Sequence, residues 1–211
     1  MIKILIADDH AIVRAGLKQI VAEESDMNVA GEASNVIELF ELIKTENWDI
    51  VVLDINMPGK SGLEALKEMK TQYPKLPVLI LSMFGEDQYG LRAIKAGASG
   101  YLKKVSAPTE LVSAIRKIVG GGKFINPSLA EKLADILDQP NGEFPHNNLS
   151  DREYQILCSI ASGKTAEQIA EDLVLSIHTI YSYRNRILEK MQLKSNVELT
   201  QYAIQNKLIE I

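Results

Sequence analysis

The chain has 211 residues, a formal net charge of −5 and a pI near 5.3, a balance that excludes a general polyanion binder while leaving room for a local basic face. Hydrophobic residues make up 46 %, enough for one large domain or two modest ones. A single cysteine, Cys158, excludes an intramolecular disulfide framework and a cysteine-based zinc site, and its apolar helical surroundings mark it as a small buried hydrophobe.

The amino-terminal run Lys3-Ile4-Leu5-Ile6-Ala7 reads as a buried strand closed by Asp8-Asp9-His10. No signal peptide precedes it and no run approaches a membrane span, so the expected setting is cytoplasmic, with no membrane partner. A helical pattern follows through Ile12, Val13, Leu17, Ile20 and Val21, then a short strand from Met27 to Gly31. Ser34 is the expected cap of a helix carrying Ile37, Leu39, Phe40 and Ile43. The third strand, Asp49 to Asp54, is an apolar run of the kind buried on both faces of a parallel sheet, and it empties at Asp54 into a loop through Asn56, Met57 and the breaker pair Pro58-Gly59. A third helix runs from Leu63 past Met69 until Tyr73-Pro74 stops it. A fourth strand spans Pro77 to Ser82, a more polar helix lies near Gln88 to Lys95, and a short fifth strand covers Gly100-Tyr101-Leu102. The last helix of this set, Glu110 to Val119, is halted by Gly120-Gly121-Gly122, which lacks the following Lys-Ser/Thr of a phosphate-binding loop. Five strands alternating with five helices predict a doubly wound α/β fold over residues 1–121, a parallel sheet with helices on both faces.

Residues 122–148 read as a linker with one short helix from Pro127-Ser128 through Leu129, Leu133, Ile136 and Leu137. Gln139 to Asn148 is rich in turn formers, and Phe144 within it is either docked on a neighbour or an exposed linker aromatic. Residues 149–211 are helical throughout. Ser150 with Glu153 fits a capping box, Gly163 breaks the helix, Thr165 starts a short one, and Leu175-Ser176 connects it to a longer helix from Thr179 to Met191. A fourth runs from Val197 to Gln205. This is an all-α four-helix unit with helix-turn-helix spacing.

Ligand chemistry in open α/β sheets gathers at the carboxyl ends of strands, which makes Asp54 the first candidate for a reactive group. With the first and third strands adjacent, Asp8, Asp9 and Asp54 converge, and a hard cation such as Mg²⁺ relieves their repulsion through oxygen ligands. An aspartate so supported can accept a phosphoryl group as an acyl phosphate if Lys104 neutralises one oxygen and Ser82 donates to another. Taken singly, the acids can be a solvated rim, Lys104 a surface charge and Ser82 a strand-end cap.

The runs Ile6-Ala7-Asp8-Asp9-His10, Asp54-Ile55-Asn56-Met57-Pro58-Gly59 and Ala96-Gly97-Ala98-Ser99-Gly100-Tyr101-Leu102-Lys103-Lys104, with the strand ending in Ser82, resemble the receiver domain of bacterial two-component response regulators. That resemblance implies a CheY-like receiver with strand order 2-1-3-4-5 and makes Asp54 the phosphoacceptor. It further implies Asp9 and Asp54 as direct Mg²⁺ ligands, Asp8 acting mostly through water and Asn56 through its backbone carbonyl. Ser82 and Tyr101 look like a switch pair, and Lys104 like the family lysine. Lys103 stands in a slot usually apolar, and Val105 departs from the residue often found after the lysine.

The runs Leu149 to Leu157, Gly163 to Ala170 and Ser176 to Tyr181, with Ile187-Leu188-Glu189-Lys190-Met191, resemble the DNA-binding domain of the NarL/FixJ and LuxR class. From the residues alone, Thr179 to Lys194 carries Arg184, Arg186, Lys190 and Lys194 against one acid, Glu189, a local excess suited to phosphates or to a solvated face. Ile180, Ile187, Leu188 and Met191 are the expected inward side. By family position Tyr181, Ser182 and Asn185 face base edges, Asn185 with a bidentate contact to adenine. Thr179, Arg184 and Lys190 suit backbone phosphates, and His178 either touches a phosphate or is idle. Val174 stands at a turn position where relatives often carry Gly, and the expectation is an unstrained αR-like or β backbone there.

The combined expectation is a phosphorylation-dependent transcription regulator, phosphorylated on Asp54 by a sensor histidine kinase and binding double-stranded promoter DNA as a homodimer. The competing readings are a Mg²⁺-dependent phosphotransfer or phosphatase protein and a protein-interaction adaptor. No substrate pocket or separate general base is evident for the first, and charge reversal at Arg184 and Lys190 separates the second from a DNA binder.

Overall fold

A computed structural model describes residues 1–138 and 144–209, which divide into two compact units, Met1–Ala130 and Glu131–Ile211. The turn formers from Gln139 to Glu143 lie outside the described residues. Among the described residues no helix is long and apolar enough to cross a membrane.

In the first unit, β1 (Ile2–Ala7), β2 (Met27–Ala33), β3 (Ile50–Asp54), β4 (Val78–Ser82) and β5 (Gly100–Lys103) form one parallel sheet in the order β2-β1-β3-β4-β5. The strands are buried because their apolar runs serve two faces. Ile4, Ile6, Ile50, Val52, Leu79 and Leu81 pack with Leu17 and Val21 of α1 (Ala11–Ala22) and with Leu111, Ile115 and Ile118 of α5 (Ala107–Val119). The alternate residues Leu5, Val51, Leu53, Val78 and Ile80 are equally buried and belong to the opposite face. The remaining helices are α2 (Val36–Ile43), α3 (Gly62–Gln72) and α4 (Glu86–Lys95). The register Ala7↔Leu53, Asp54↔Leu81 and Ser82↔Lys103 aligns the strand ends, so the residues leaving β1, β3, β4 and β5 share one rim.

Three local features depart from the sequence expectations. The cap of α2 is Asn35, not Ser34: the Asn35 side chain accepts from Glu38 N at 3.0 Å, while Ser34 N and Oγ donate back to the Glu38 carboxylate at 2.7 and 2.8 Å. The helix starts one residue later than Ser34 would allow, and Ser34 serves as the partner of Glu38 instead. The last helix of the unit begins at Ala107, after a 3-10 turn over Lys104–Ser106 that leaves Val105 exposed. Beyond Gly121, whose positive φ of 88° reverses the chain, Phe124 returns to the sheet: its N–H donates to Ser99 O and its carbonyl accepts from Tyr101 N, both at 3.0 Å.

The expected helix at Pro127 is α6 (Pro127–Asp138). The second unit contains α7 (Asp151–Ala161), α8 (Ala166–Leu173), α9 (Ile177–Met191) and α10 (Asn196–Gln205). Ser150 with Glu153 and Thr165 with Gln168 both close reciprocal capping boxes. Ile156, Leu157, Ile169, Leu173, Ile180, Ile187 and Leu199 are buried, as is Cys158, whose thiol lies 3.6 Å from Leu208 O. Phe144 is exposed and stacks on His146 with ring centroids 5.4 Å apart.

Val174 does not adopt the relaxed backbone expected of it. It closes α8 in the left-handed region, φ 53° and ψ 50°, with its N–H on Ala170 O and Glu171 O and the Leu175 N–H on Ala170 O at 2.9 Å. Only Val174, Leu175 and Ser176 separate α8 from α9, and so short a turn reverses direction by a left-handed helix end. A β-branched residue is strained there by about 1–2 kcal/mol.

Candidate functional site

The rim of the parallel sheet gathers the acidic groups. Asp8, Asp9, His10 and Asp54 each bring one ligand atom within 4.8 Å of the others. Asp8 and Asp54 are almost fully buried, at 1 % and 2 % exposure, so their carboxylates cannot rely on water. Lys104 answers both: its Nζ lies 2.6 Å from Asp8 Oδ2 and donates to Asp54 Oδ2 at 2.8 Å. The other Asp54 oxygen, Oδ1, accepts the Asn56 N–H at 3.2 Å.

The energetics of this trio are uneven. Burial raises the Asp54 carboxyl above its ordinary pKa; Lys104 opposes that and Asp8 reinforces it. Burial also works against the charge on Lys104, but Asp54 and Asp8 outweigh it and hold the ammonium above its ordinary value. One cation gains from two carboxylates, whereas each carboxylate has only a share in one cation and a like charge beside it. Asp8 Oδ2 and Asp9 Oδ1 are both buried, the first 2.6 Å from the Lys104 ammonium and the second 2.8 Å from His10 Nδ1. An all-oxygen carboxylate set of this kind fits a hard divalent cation.

Ser82 ends β4, fully buried, and its Oγ accepts the Phe84 N–H at 3.1 Å, holding the loop that follows rather than Asp54. Tyr101, on β5, is fully buried and donates its hydroxyl to the Phe84 carbonyl at 3.0 Å. The two expected switch residues thus meet through one loop residue: Ser82 holds its amide and Tyr101 its carbonyl.

Sequence reasoning missed three residues of this site. His10 sits at the amino end of α1 with Nδ1 2.8 Å from Asp9 Oδ1 and 3.2 Å from Asp8 Oδ1; its adjacency to the acid pair was the available signal. Arg14 donates to the Asp8 backbone carbonyl at 2.7 Å, one helical turn on. Gly62, the first residue of α3, donates to Ile55 O at 2.8 Å, and a Cβ there would collide with the Asp54 carbonyl and lie 2.8 Å from Ile55 Cα. A glycine opening a helix soon after the Pro-Gly loop was the trace left in the sequence.

In the second unit, α9 divides as expected. Ile180, Ile187, Leu188 and Met191 are buried, while Tyr181, Ser182, Asn185 and Lys190 are exposed and Thr179 and Arg184 are half-buried. The polar groups are not all free. Thr179 lies in the first turn, its N–H on Ser176 Oγ at 3.1 Å and its hydroxyl 2.8 Å from the same oxygen. Ser182 Oγ donates to His178 O at 2.9 Å. Arg184 donates from Nε to Asn196 Oδ1 at 2.6 Å and from a terminal nitrogen to Asn185 Oδ1 at 3.2 Å. Lys190 turns away from these residues to pair with Glu153 at 2.7 Å, joining the last turn of α9 to the capping box of α7; this holds the Glu153 carboxyl below its ordinary pKa despite burial. The pairing of Glu153, expected only as a capping-box residue, with Lys190 and the role of Asn196 were not foreseen from the sequence, because their partners lie on other helices.

Two family matches cover most of the chain: "Response regulator receiver domain" over residues 4–116 and "Bacterial regulatory proteins, luxR family" over residues 147–203. The chain is similar to the response regulator GacA of Pseudomonas aeruginosa, 35 % identical over 211 residues that cover 100 % of this chain and 99 % of the relative. It is similar to the response regulator UvrY of Escherichia coli, 36 % identical over 99 % of this chain and 96 % of the relative. Among solved structures, RcsB from Salmonella enterica serovar Typhimurium bound to promoter rprA in the presence of phosphomimetic BeF3- superposes with a TM-score of 0.65 at 26 % identity, covering 96 % of this chain and 98 % of that one.

Proposed function

The chain belongs to the response-regulator family, a receiver domain joined to a LuxR-type DNA-binding domain, and from that premise we propose that Asp54 is its phosphoacceptor and α9 its recognition helix. The protein is a phosphorylation-regulated, DNA-binding transcription regulator and not an enzyme. The observation that carries the assignment is the Lys104 ammonium shared by Asp8 and Asp54 at the mouth of the acidic rim.

The donor is the phosphohistidine of a sensor kinase or a small acyl phosphate. An Asp54 oxygen attacks the phosphorus; from phosphohistidine the phosphorus–nitrogen bond breaks and its electron pair leaves with the imidazole, which takes up a proton from solvent, whereas from an acyl phosphate the phosphorus–oxygen bond breaks and its electron pair leaves with the carboxylate. Asp9, Asp54 and the Asn56 carbonyl, with Asp8 acting through water, would hold a Mg²⁺ ion, which would supply positive charge as the two anions approach. Lys104 then follows the charge from the carboxylate to a phosphoryl oxygen. The new group carries a charge of about −1.5 to −2 and demands donors. Ser82 supplies one by releasing the Phe84 amide, and because Tyr101 holds the same residue, the loop and β5 rearrange together. This is a population shift between two loop arrangements.

On DNA, Tyr181, Ser182 and Asn185 face base edges, and Thr179 and Arg184 lie near the backbone phosphates. Lys190, tied to Glu153, contributes by releasing that pair when a phosphate competes. Two protomers bind two half-sites, and the protein acts in the cytoplasm. The test is DNA affinity at fixed salt with and without an acyl-phosphate donor, for wild type and Asp54→Ala. The expected result is roughly a 10-fold gain for wild type alone. Unchanged affinity and unchanged oligomeric state in wild type would sink the phosphoswitch.

A further inference from the structure

The acidic rim carries a nitrogen that the phosphotransfer reading leaves without a task. His10 Nδ1 lies 2.8 Å from Asp9 Oδ1 and 3.2 Å from Asp8 Oδ1, and a ring nitrogen of His10 falls within 4.8 Å of an Asp54 carboxylate oxygen. Neighbouring ligands of an octahedral ion bound at about 2.1 Å stand about 3.0 Å apart, so the two short spacings have the length of such an edge. The nitrogen is also at hydrogen-bond distance from Asp8, a contact that a bound ion would replace. Helix α1 does not need the ring: His10 precedes it without a side-chain capping bond. The loop is held instead by the His10 backbone N–H, which donates to Asp8 Oδ1 at 2.8 Å. His10 is exposed, so an ion arriving from solvent can reach its ring.

We infer that His10 is a ligand of the cation at this rim and that it biases the site from Mg²⁺ toward a first-row transition-metal ion such as Co²⁺ or Fe²⁺. Carboxylates alone offer oxygen, the chemistry of Mg²⁺, which gives up its water reluctantly. An imidazole nitrogen adds little for that ion but suits the transition metals. At a mixed nitrogen–oxygen site, affinity climbs from Mn²⁺ through Fe²⁺ and Co²⁺ to Ni²⁺. Asp9 and Asp54 serve either class of ion, so the histidine is the residue that separates them. The inference deepens the proposed cation site of the receiver and rests on that reading.

The experiment uses the full-length chain with Co²⁺ and Mg²⁺ as probes. Each ion is titrated by calorimetry into wild type, His10→Ala, His10→Gln and Asp9→Asn, and proton NMR is recorded on the Co²⁺-loaded forms. Wild type should bind Co²⁺ about 10-fold or more tightly than Mg²⁺ and show a far-shifted, exchangeable imidazole proton. In His10→Ala and His10→Gln that resonance should vanish and Co²⁺ affinity fall about 10-fold. Mg²⁺ affinity should change by less than about twofold in His10→Ala, because oxygen ligands carry it. His146 and His178 are untouched in both variants, so the loss assigns the resonance to His10. Absence of the shifted proton in wild type, its survival in both variants, or equal losses for the two ions would make His10 an electrostatic neighbour of the acids and overturn the inference. If Asp9→Asn instead binds both ions as wild type does, the cation-site reading of the rim fails and this inference fails with it.

Discussion

The two units depart from relaxed structure in different ways. In the receiver the departure is electrostatic: the Asp8 carboxylate and the Lys104 ammonium lie buried beside Asp54, and the Asp54 acid is less willing to ionise than in water. In the helical unit it lies in the backbone, with Val174, Gln192 and Lys207 all in the left-handed region at φ 53°, 56° and 54°. Electrostatic stress responds to chemistry, because a cation or a phosphoryl group rearranges the balance at once. Backbone strain does not, since it is fixed by the length of a turn. The receiver is thereby built to respond and the helical unit to hold a shape.

Three experiments bear on that contrast. The largest effect is expected from Gly62→Ala, where the added methyl meets the backbone at Asp54 and Ile55 and neither side can yield without moving the phosphoacceptor. Destabilisation by about 2–3 kcal/mol is expected, together with slower phosphorylation. The chain has one tryptophan, Trp48, in the receiver, so denaturant titration followed by its fluorescence reads this unit. If stability is unchanged, the approach of α3 to Asp54 is looser than described.

Val174→Gly removes the side chain from a left-handed position and should stabilise the helical unit by about 1 kcal/mol. Amide exchange across α8 and α9 measures it, with DNA affinity altered by less than about twofold. A loss of stability would mean that the exposed Val174 side chain makes a compensating contact and that the turn is not strained.

The smallest effect concerns Asp54→Asn. Because the folded state raises the Asp54 pKa, the contribution of that group to stability is complete below its unfolded value and is lost as pH rises through the folded one. The asparagine variant escapes that loss, so its stability relative to wild type should grow with pH. A melting temperature higher by about 2 °C at neutral pH, shrinking toward about pH 4, is expected from thermal scans. A difference that grows on acidification would reverse the sign of the burial argument.

Most of the fold was legible because it rests on local pattern: each strand is an apolar run ending at a polar residue, and each helix has a spacing and a stop. The rim was legible for the same reason, since parallel strands deliver their last residues to one edge. What escaped depends on partners distant in sequence or on geometry that composition does not encode. Gly62 matters because of a carbonyl across the β3–α3 loop, Lys190 because Glu153 reaches it from α7, and Arg184 because Asn196 holds it from α10. At Val174 the β-branched side chain argued for a relaxed backbone, and the turn it must close required the opposite.

The return of Phe124 to Gly100 and Tyr101 has a consequence for solubility and assembly. A border strand with unsatisfied amides is an invitation to any extended peptide, including one from a sister molecule. Here the outer amide of Tyr101 and the carbonyl of Ser99 are already taken by the protein's own chain, so the margin of the sheet is covered at the start of β5. A shared backbone ladder running from the start of that margin would first have to displace Phe124, whereas side-chain association would leave it in place.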